Sequence, residues 1–445
     1  MRVVLFFDGT NNNKHNVKAA AEDNINADLK DKKGQPPASY KNDLSNVARM
    51  FDSSSGTDAY TNGRVYDNYF PIYIEGIGTA STGESASLQK GDDALRGGGF
   101  GEGPTGIIGK VRRGVDASLA YLRTMSGKPF EFIHLDVFGF SRGGAAARNA
   151  VAQILSGWSV GEGIYWPSVR SELVRDGETI DEFKFRFAGL YDTVASFGLA
   201  HWNDKIELNL GAVSAADRIV QLAAAEEHRK NFRLTRVGND TKSFELFLPG
   251  VHSDIGGGYK SGVSETRVLW RDKAMRIGSQ SSTVDRFQRE WNWLSEQGWF
   301  GDKANPIWVH KEDGTIHTHF EIRGTKSTVG NQYCFIPLNM MVGYAKEEGL
   351  LFGNVSPVPP ALSPVDAYLR GYAGKCASGT SGASSADDFF HKLDPLLVWL
   401  RRNYLHFSAY YSDLEAERDV ANNALDFVGA MAPDFSGERR TRSYL

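Results

Sequence analysis

Through the first 260 residues, short apolar runs end repeatedly in small polar turns. Val3 to Phe7 (VVLFF) is continuously apolar and stops at Asp8-Gly9-Thr10, which predicts a buried strand opening into a polar turn. Residues 70–77 (FPIYIEGI), 131–140 (EFIHLDVFGF), 183–194 (FKFRFAGLYDTV) and 243–248 (SFELFL) are rich in β-branched and aromatic residues and predict further strands. Residues 42–52, 111–125 and 142–155 have helical spacing. The pattern predicts another helix over 214–228, with Ser214 as its N-cap. Strands alternating with helices imply an α/β fold, a mostly parallel sheet with helices on both faces.

After Tyr259 the pattern changes. Residues 264–345 contain Trp270, Trp291, Trp293, Trp299 and Trp308 without a clear strand–helix alternation, and read as an aromatic-rich insertion or cap. Residues 375–387 (KCASGTSGASSAD) are small and polar and read as a disordered loop. Residues 389–411 are helical in pattern, and the tail after Pro433 is polar and basic. The expected division is a catalytic core over 1–263, the insertion over 264–345, and a helical part packing on the core over 346–445.

The chain has 445 residues, 41% apolar and 23% charged, which is ordinary for a globular protein. A formal charge of −4 argues against a nucleic-acid partner, which usually demands a basic stripe. Cys334 and Cys376 form neither a metal spacing nor a disulfide framework, and two unpaired thiols are expected. The apolar run before Asp8 is too short for a signal peptide, and no run of about 20 apolar residues is present to span a membrane. A chain made in the cytoplasm without a cleaved secretory signal is expected.

The pattern Gly-x-Ser-x-Gly occurs twice, at Gly139-Phe140-Ser141-Arg142-Gly143 and at Gly157-Trp158-Ser159-Val160-Gly161. A serine hydroxyl is a weak nucleophile until a base takes its proton, and a tight strand-to-helix turn exposes it. Only Ser141 has a strand before it and a helix after it. Ser159 follows a helix whose C-cap would be Gly157, and reads as an exit loop. The order acid then base after such a nucleophile points to Asp192, at the end of FRFAGLYDTV, and His252, just past SFELFLPGV. Asp204 and Asp254 are rivals for the acid, and His406 for the base. Backbone donors for an oxyanion are expected at Arg142 and in the turn Gly9-Thr10. The glycine-rich run GGGFGEGPTG fails the P-loop pattern and lacks the strand a dinucleotide fingerprint needs, so it reads as a loop and no cofactor is implied. His310, His317 and His319 lack acidic or Cys partners at a recognised spacing, and no metal site is expected.

The segments FFDGTNNN, NVARMF, GIGT, FGFSRGGAAAR, LYDTV and PGVHSDIGGGY resemble, in this order, motifs of the phospholipase (lipase) effectors of the bacterial type VI secretion system. The resemblance covers about residues 1–260, and YLHFSA near residue 406 is similar again. It implies an α/β-hydrolase-like fold, and a serine phospholipase cleaving acyl esters of bacterial membrane glycerophospholipids with Ser141, Asp192 and His252. It further implies antibacterial delivery to a target-cell periplasm, with a secretion-apparatus spike protein and an immunity protein as partners. A soluble carboxylesterase and a non-catalytic binding module are the alternatives. If the substrate is a lipid, residues 284–300 could cap the site and touch the bilayer through Trp293, Trp299 and Phe300, which lie off the stripe Phe287, Trp291, Leu294 and Gln297. Ordinary core packing is the competing expectation.

Overall fold

The computed structural model describes residues 1–23, 25, 36–54, 59–61, 64–66, 68–79, 105–125, 127, 129–160, 164–195, 208–238, 241–273, 280–300, 307–311, 318–380, 383–390, 392–410, 435–436 and 439–445. Six strands form the main sheet: β1 (Arg2–Phe7), β2 (Tyr69–Ile74), β3 (Phe130–Phe140), β4 (Ile180–Tyr191), β5 (Arg218–Ala224) and β6 (Ser243–Leu248). They lie in the order β6-β5-β4-β3-β1-β2, and every pairing is parallel. After β1 the chain moves outward to β2, then crosses back to β3 on the other side of β1. The strand order therefore reverses between β1 and β3, and a crevice opens beyond their carboxyl ends.

Strand alternation divides β1 between two cores. Val3, Leu5 and Phe7 pack under helices α2 (Ile107–Thr124) and α3 (Arg142–Ser156). Val4 and Phe6 face α1 (Asn46–Ser53) and a larger cluster that includes Phe138, Ile336, Met341 and Leu397. Phe6 stacks on Phe138 with ring centroids 5.0 Å apart. Each such side chain, fully removed from water, contributes roughly 1.5–3 kcal/mol. Sheet burial on both faces is why these strands read as continuous apolar runs.

Residues 214–228 are not a helix. A 3-10 turn over Leu210–Ala215 leads into strand β5, followed by a turn. The alanines of IVQLAA have high helix propensity, but six of the seven β5 residues are buried in the sheet, and that tertiary context overrides the propensity.

Beyond the core, β7 (Val263–Lys273), β8 (Ile307–Lys311) and β9 (Thr318–Val329) form an antiparallel sheet in the order β7-β9-β8. Helix α5 (Gln280–Glu296) lies between β7 and β8 in the chain. Its Leu294 is buried, as the stripe required. Trp299 and Phe300 are also buried, packed against Phe407 at 5.4 and 5.2 Å between ring centroids. They lie past the end of α5, where Gly298 turns with φ 87° and folds them back, so helical spacing does not apply to them. Trp293 is half-buried and meets Phe390. Of the three aromatic residues expected at a lipid surface, two therefore belong to the core.

Helix α6 (Phe335–Glu347) places Ile336 and Met341 in the core cluster of the main sheet. Helix α7 (Ser363–Ala377) continues into the stretch expected to be a disordered loop, because Leu369 and Ala373 bury its face. Helix α8 (Pro395–Asn403) is shorter than the pattern suggested, and residues 405–410 run on without helix. Among the described residues, no helix is long and apolar enough to cross a membrane, and both cysteines are free.

Candidate active site

Ser141 sits between β3 and α3 with φ 59° and ψ −130°, a conformation that costs a non-glycine residue of order 1–3 kcal/mol. The surroundings hold it there. Its N–H donates to the Tyr191 carbonyl at 3.0 Å, and its carbonyl accepts from Gly144 at 2.9 Å and Val194 at 3.3 Å. A Cβ on Gly139 would lie 2.5 Å from the Gly143 carbonyl oxygen, and one on Gly143 would lie 2.2 Å from that of Asp8. Both glycines of the pattern are thus required by close backbone approach. The Ser141 hydroxyl takes no hydrogen-bond partner among the described residues, and the side chain is nearly buried.

Asp192 follows β4 immediately, also at positive φ (38°), with its N–H on the Leu222 carbonyl at 2.8 Å. Its carboxylate is fully buried and accepts three hydrogen bonds. Oδ1 takes the Ala224 N–H at 2.9 Å and an Arg442 Nη2–H at 2.8 Å, and Oδ2 lies 2.6 Å from His252 Nδ1. His252 opens α4 (His252–Gly256), the short helix after β6. With Nδ1 as donor to the carboxylate, Nε2 is left as the acceptor that a general base requires. Phe140, the residue before Ser141, packs on the imidazole at 4.6 Å between centroids, and Phe232 meets it at 5.0 Å. The ends of β3, β4 and β6 thus converge, and Ser141, Asp192 and His252 stand on them.

Burial pushes the His252 imidazole below its ordinary pKa. The Asp192 bond and charge and the Glu227 charge oppose this, and the Arg229 charge adds to it. Glu227 is a second buried carboxylate beside the ring and accepts the His252 backbone N–H at 3.2 Å. Burial alone would raise the Glu227 pKa, but Arg229, Arg442 and His252 together bring it below the usual carboxylate range.

The rivals for acid and base are partners of each other. Asp254 Oδ1 lies 2.8 Å from His406 Nδ1, both are buried, and Tyr259 stacks on the His406 ring at 3.9 Å. Asp204 and His317 lie outside the described residues, as do residues 97–104 of the glycine-rich run. Gly106, which follows that run, is the N-cap of α2. Ser159 lies in a two-strand hairpin after α3, and Gly157 caps that helix with φ 72°. His134 is buried between Tyr66 and Glu182. Among the described residues, no group of three or more His, Cys, Asp or Glu is placed to hold a metal ion.

The turn after β1 lies against the start of α3. The Gly9 N–H is donated to the Asp8 carboxylate at 2.7 Å, and the Thr10 hydroxyl accepts from Arg142 Nε at 2.9 Å. Asp8 also accepts from Ser45 and Tyr73, and burial raises its pKa to about 6. Sequence reasoning missed Glu227 and Arg442. Glu227 lies inside the run 214–228 read as helix, and Arg442 lies in a tail read as polar and basic. The carboxylate pair Glu226-Glu227 directly after the run ending at Ala225 was the one available signal for Glu227.

A parallel sheet flanked by helices, with a strained serine after β3, an aspartate after β4 and a histidine after β6, defines an α/β protein with its candidate site at the carboxyl ends of the strands. Residues 167–275 match the family model described as type VI secretion system phospholipase effector Tle1-like, catalytic domain. That span includes Asp192 and His252 and begins after Ser141. The fold is similar to that of the Tle1 effector bound to the VgrG spike of the type VI secretion system. The TM-score is 0.64 at 20% identity, over 100% of this chain and 93% of that one. An uncharacterized protein from Pseudomonas aeruginosa aligns at a TM-score of 0.39 and 17% identity, over 98% of this chain and 56% of that one. Among curated proteins, none matches the sequence significantly. The resemblance to type VI secretion phospholipase effectors of the Tle1-like family is thus present in both the family model and the fold.

Proposed function

We propose that the protein is a serine phospholipase that hydrolyses acyl esters of glycerophospholipids through Ser141, His252 and Asp192. The observation that carries this reading is the buried Asp192–His252 bond of 2.6 Å beside the strained turn at Ser141. In the proposed cycle Ser141 Oγ attacks the ester carbonyl carbon while His252 Nε2 takes its proton. The oxyanion is held by backbone N–H groups of Arg142 and Thr10, since the Gly9 N–H is already donated to Asp8. The imidazolium then gives its proton to the leaving lysolipid oxygen. Water, activated by the same imidazole, releases the fatty acid from the acyl-enzyme.

The substrate class rests on the family match over residues 167–275. A similar fold was solved on a VgrG spike, which supports a spike protein as delivery partner here too. Export to a rival cell's periplasm, with an immunity protein guarding the producer, completes the proposal.

The test is hydrolysis of phosphatidylethanolamine and phosphatidylglycerol vesicles, with a short soluble ester alongside and products identified by mass. Fatty acid and lysolipid from wild type, and neither from Ser141→Ala, are expected. Full activity in Ser141→Ala overturns the mechanism. Turnover of the soluble ester alone overturns the substrate class, and no turnover of either overturns the enzyme reading.

A further inference from the structure

The triad of the proposed function leaves one charged contact unexplained. Asp192 meets not only His252 but also the guanidinium of Arg442, 250 residues further along the chain. Arg442 is itself buried, with a side chain 2% exposed. Its Nη1 donates to the carbonyls of Glu227 and Phe232, which border the imidazole. Its neighbours are tied down as well. The Leu234 N–H donates to the Ser443 carbonyl at 2.9 Å, and the Leu445 N–H to the Leu234 carbonyl at 2.8 Å. The Thr235 N–H in turn donates to Thr193 at 2.8 Å, beside Asp192. The guanidinium is therefore fixed by a strap of backbone bonds that runs back to the loop it serves.

We propose that Arg442 is a positioning residue of the catalytic acid, holding the Asp192 carboxylate in the rotamer that presents Oδ2 to His252. The inference rests on the hydrolase reading above. A carboxylate that aims an imidazole must not rotate. Of the three donors on Asp192, the Ala224 N–H is an uncharged one and His252 is the group to be aimed. Arg442 is the one charged donor among these from outside the His–Asp pair, and its bond joins two ionised groups. It also places a positive charge behind the acid. Among the described residues, the charged groups around His252 are then Asp192 at the end of β4, Arg442 on the strap, and Glu227 and Arg229 in the turn after β5. Asp254, on the same short helix as His252, is engaged by His406.

The experiment compares Arg442→Leu, Arg442→Lys and Arg440→Leu with wild type on a soluble ester, well below each melting temperature. Arg440 lies on the same strap but contacts Glu290, Ala409 and Leu269. Arg442→Leu is expected to lower kcat by about 10²-fold, the scale of a misplaced catalytic group, with KM nearly unchanged. The acid limb of its kcat/KM profile should move to higher pH, because losing a nearby positive charge favours the imidazolium. Arg442→Lys should recover part of both, and Arg440→Leu should lower only the melting temperature. A wild-type kcat and acid limb in Arg442→Leu overturns the proposal, as does the same pair of changes in Arg440→Leu. If wild type hydrolyses no ester, the hydrolase reading fails instead. The pairing is then read from the His252 Nδ1–H proton resonance, which must shift in Arg442→Leu and stay in place in Arg440→Leu. An unchanged resonance in Arg442→Leu overturns the positioning role.

Discussion

Asp192→Asn changes one atom and leaves the shape of the site intact, so its effect can be worked from the hydrogen bonds alone. The asparagine has two orientations. In one, its oxygen keeps the place of Oδ1 and accepts from Ala224 and Arg442, and its NH2 faces His252 Nδ1. In the other, its NH2 faces two donors, and both of those buried bonds are lost at roughly 1–3 kcal/mol each. The first orientation wins by several kcal/mol. It turns His252 Nδ1 into an acceptor and puts the ring proton on Nε2, where the Ser141 proton must go. Turnover of a soluble ester should then fall by about 10⁴-fold, close to 5.5 kcal/mol of barrier. Arg442 also loses its counter-charge, so a lower melting temperature is expected and kcat must be read well below it. Retention of more than a tenth of wild-type kcat by folded Asp192→Asn would refute the argument that Asp192 sets the tautomer. Asp254→Asn, which disturbs the pair with His406, should reduce thermal stability and spare the chemistry. Loss of turnover there with Asp192→Asn active would reassign the acid.

Three further outcomes are expected. Gly143→Ala drives a Cβ to 2.2 Å from the Asp8 carbonyl oxygen, so the start of α3 must shift from the β1 turn; about 10²-fold loss of kcat is expected, and full activity would show that the elbow and that turn need no fixed spacing. In the proposed cycle His252 acts as the neutral base, and burial lowers its pKa, so activity should persist below the ordinary histidine value near 6.5 and fall only as pH drops through the lowered one; a kcat/KM profile with its acid limb above 6.5 contradicts this. Trp299→Ala should cost about 3–5 kcal/mol in a urea or thermal unfolding measurement and reduce hydrolysis of vesicles and soluble ester equally, whereas selective loss on vesicles would return this tryptophan to a lipid surface.

What the sequence disclosed was whatever depended on local rules. The run SFELFL forms a strand over the same residues, and the strand–turn–helix around Ser141 follows from its two glycines and the alanine-rich start of α3. Where a residue answers to distant partners, local rules misled. Arg218–Ala224 is helical by propensity and a strand by burial. Trp299 and Phe300 extend a helical wheel past the end of its helix. His406 competed as a base on the strength of its apolar approach, and nothing local announces that Asp254, 152 residues earlier, engages it. Arg442 is the extreme case, since a basic tail gives no hint of which buried carboxylate it will meet.

The separation of Arg442 from Asp192 also has a kinetic side. A contact that closes 250 residues of chain is expected to form after the sheet that carries Asp192 is in place, because an early closure of that length costs chain entropy before any packing offsets it. On this reasoning a refolding molecule is expected to bring Ser141, Asp192 and His252 together before the Arg442 contact closes. In a refolding experiment, tryptophan fluorescence of the core should recover first and ester hydrolysis should lag behind it. On the phospholipase reading proposed above, the substrate also forms the membrane of the cell that makes the protein, and that lag is a delay written into the chain itself.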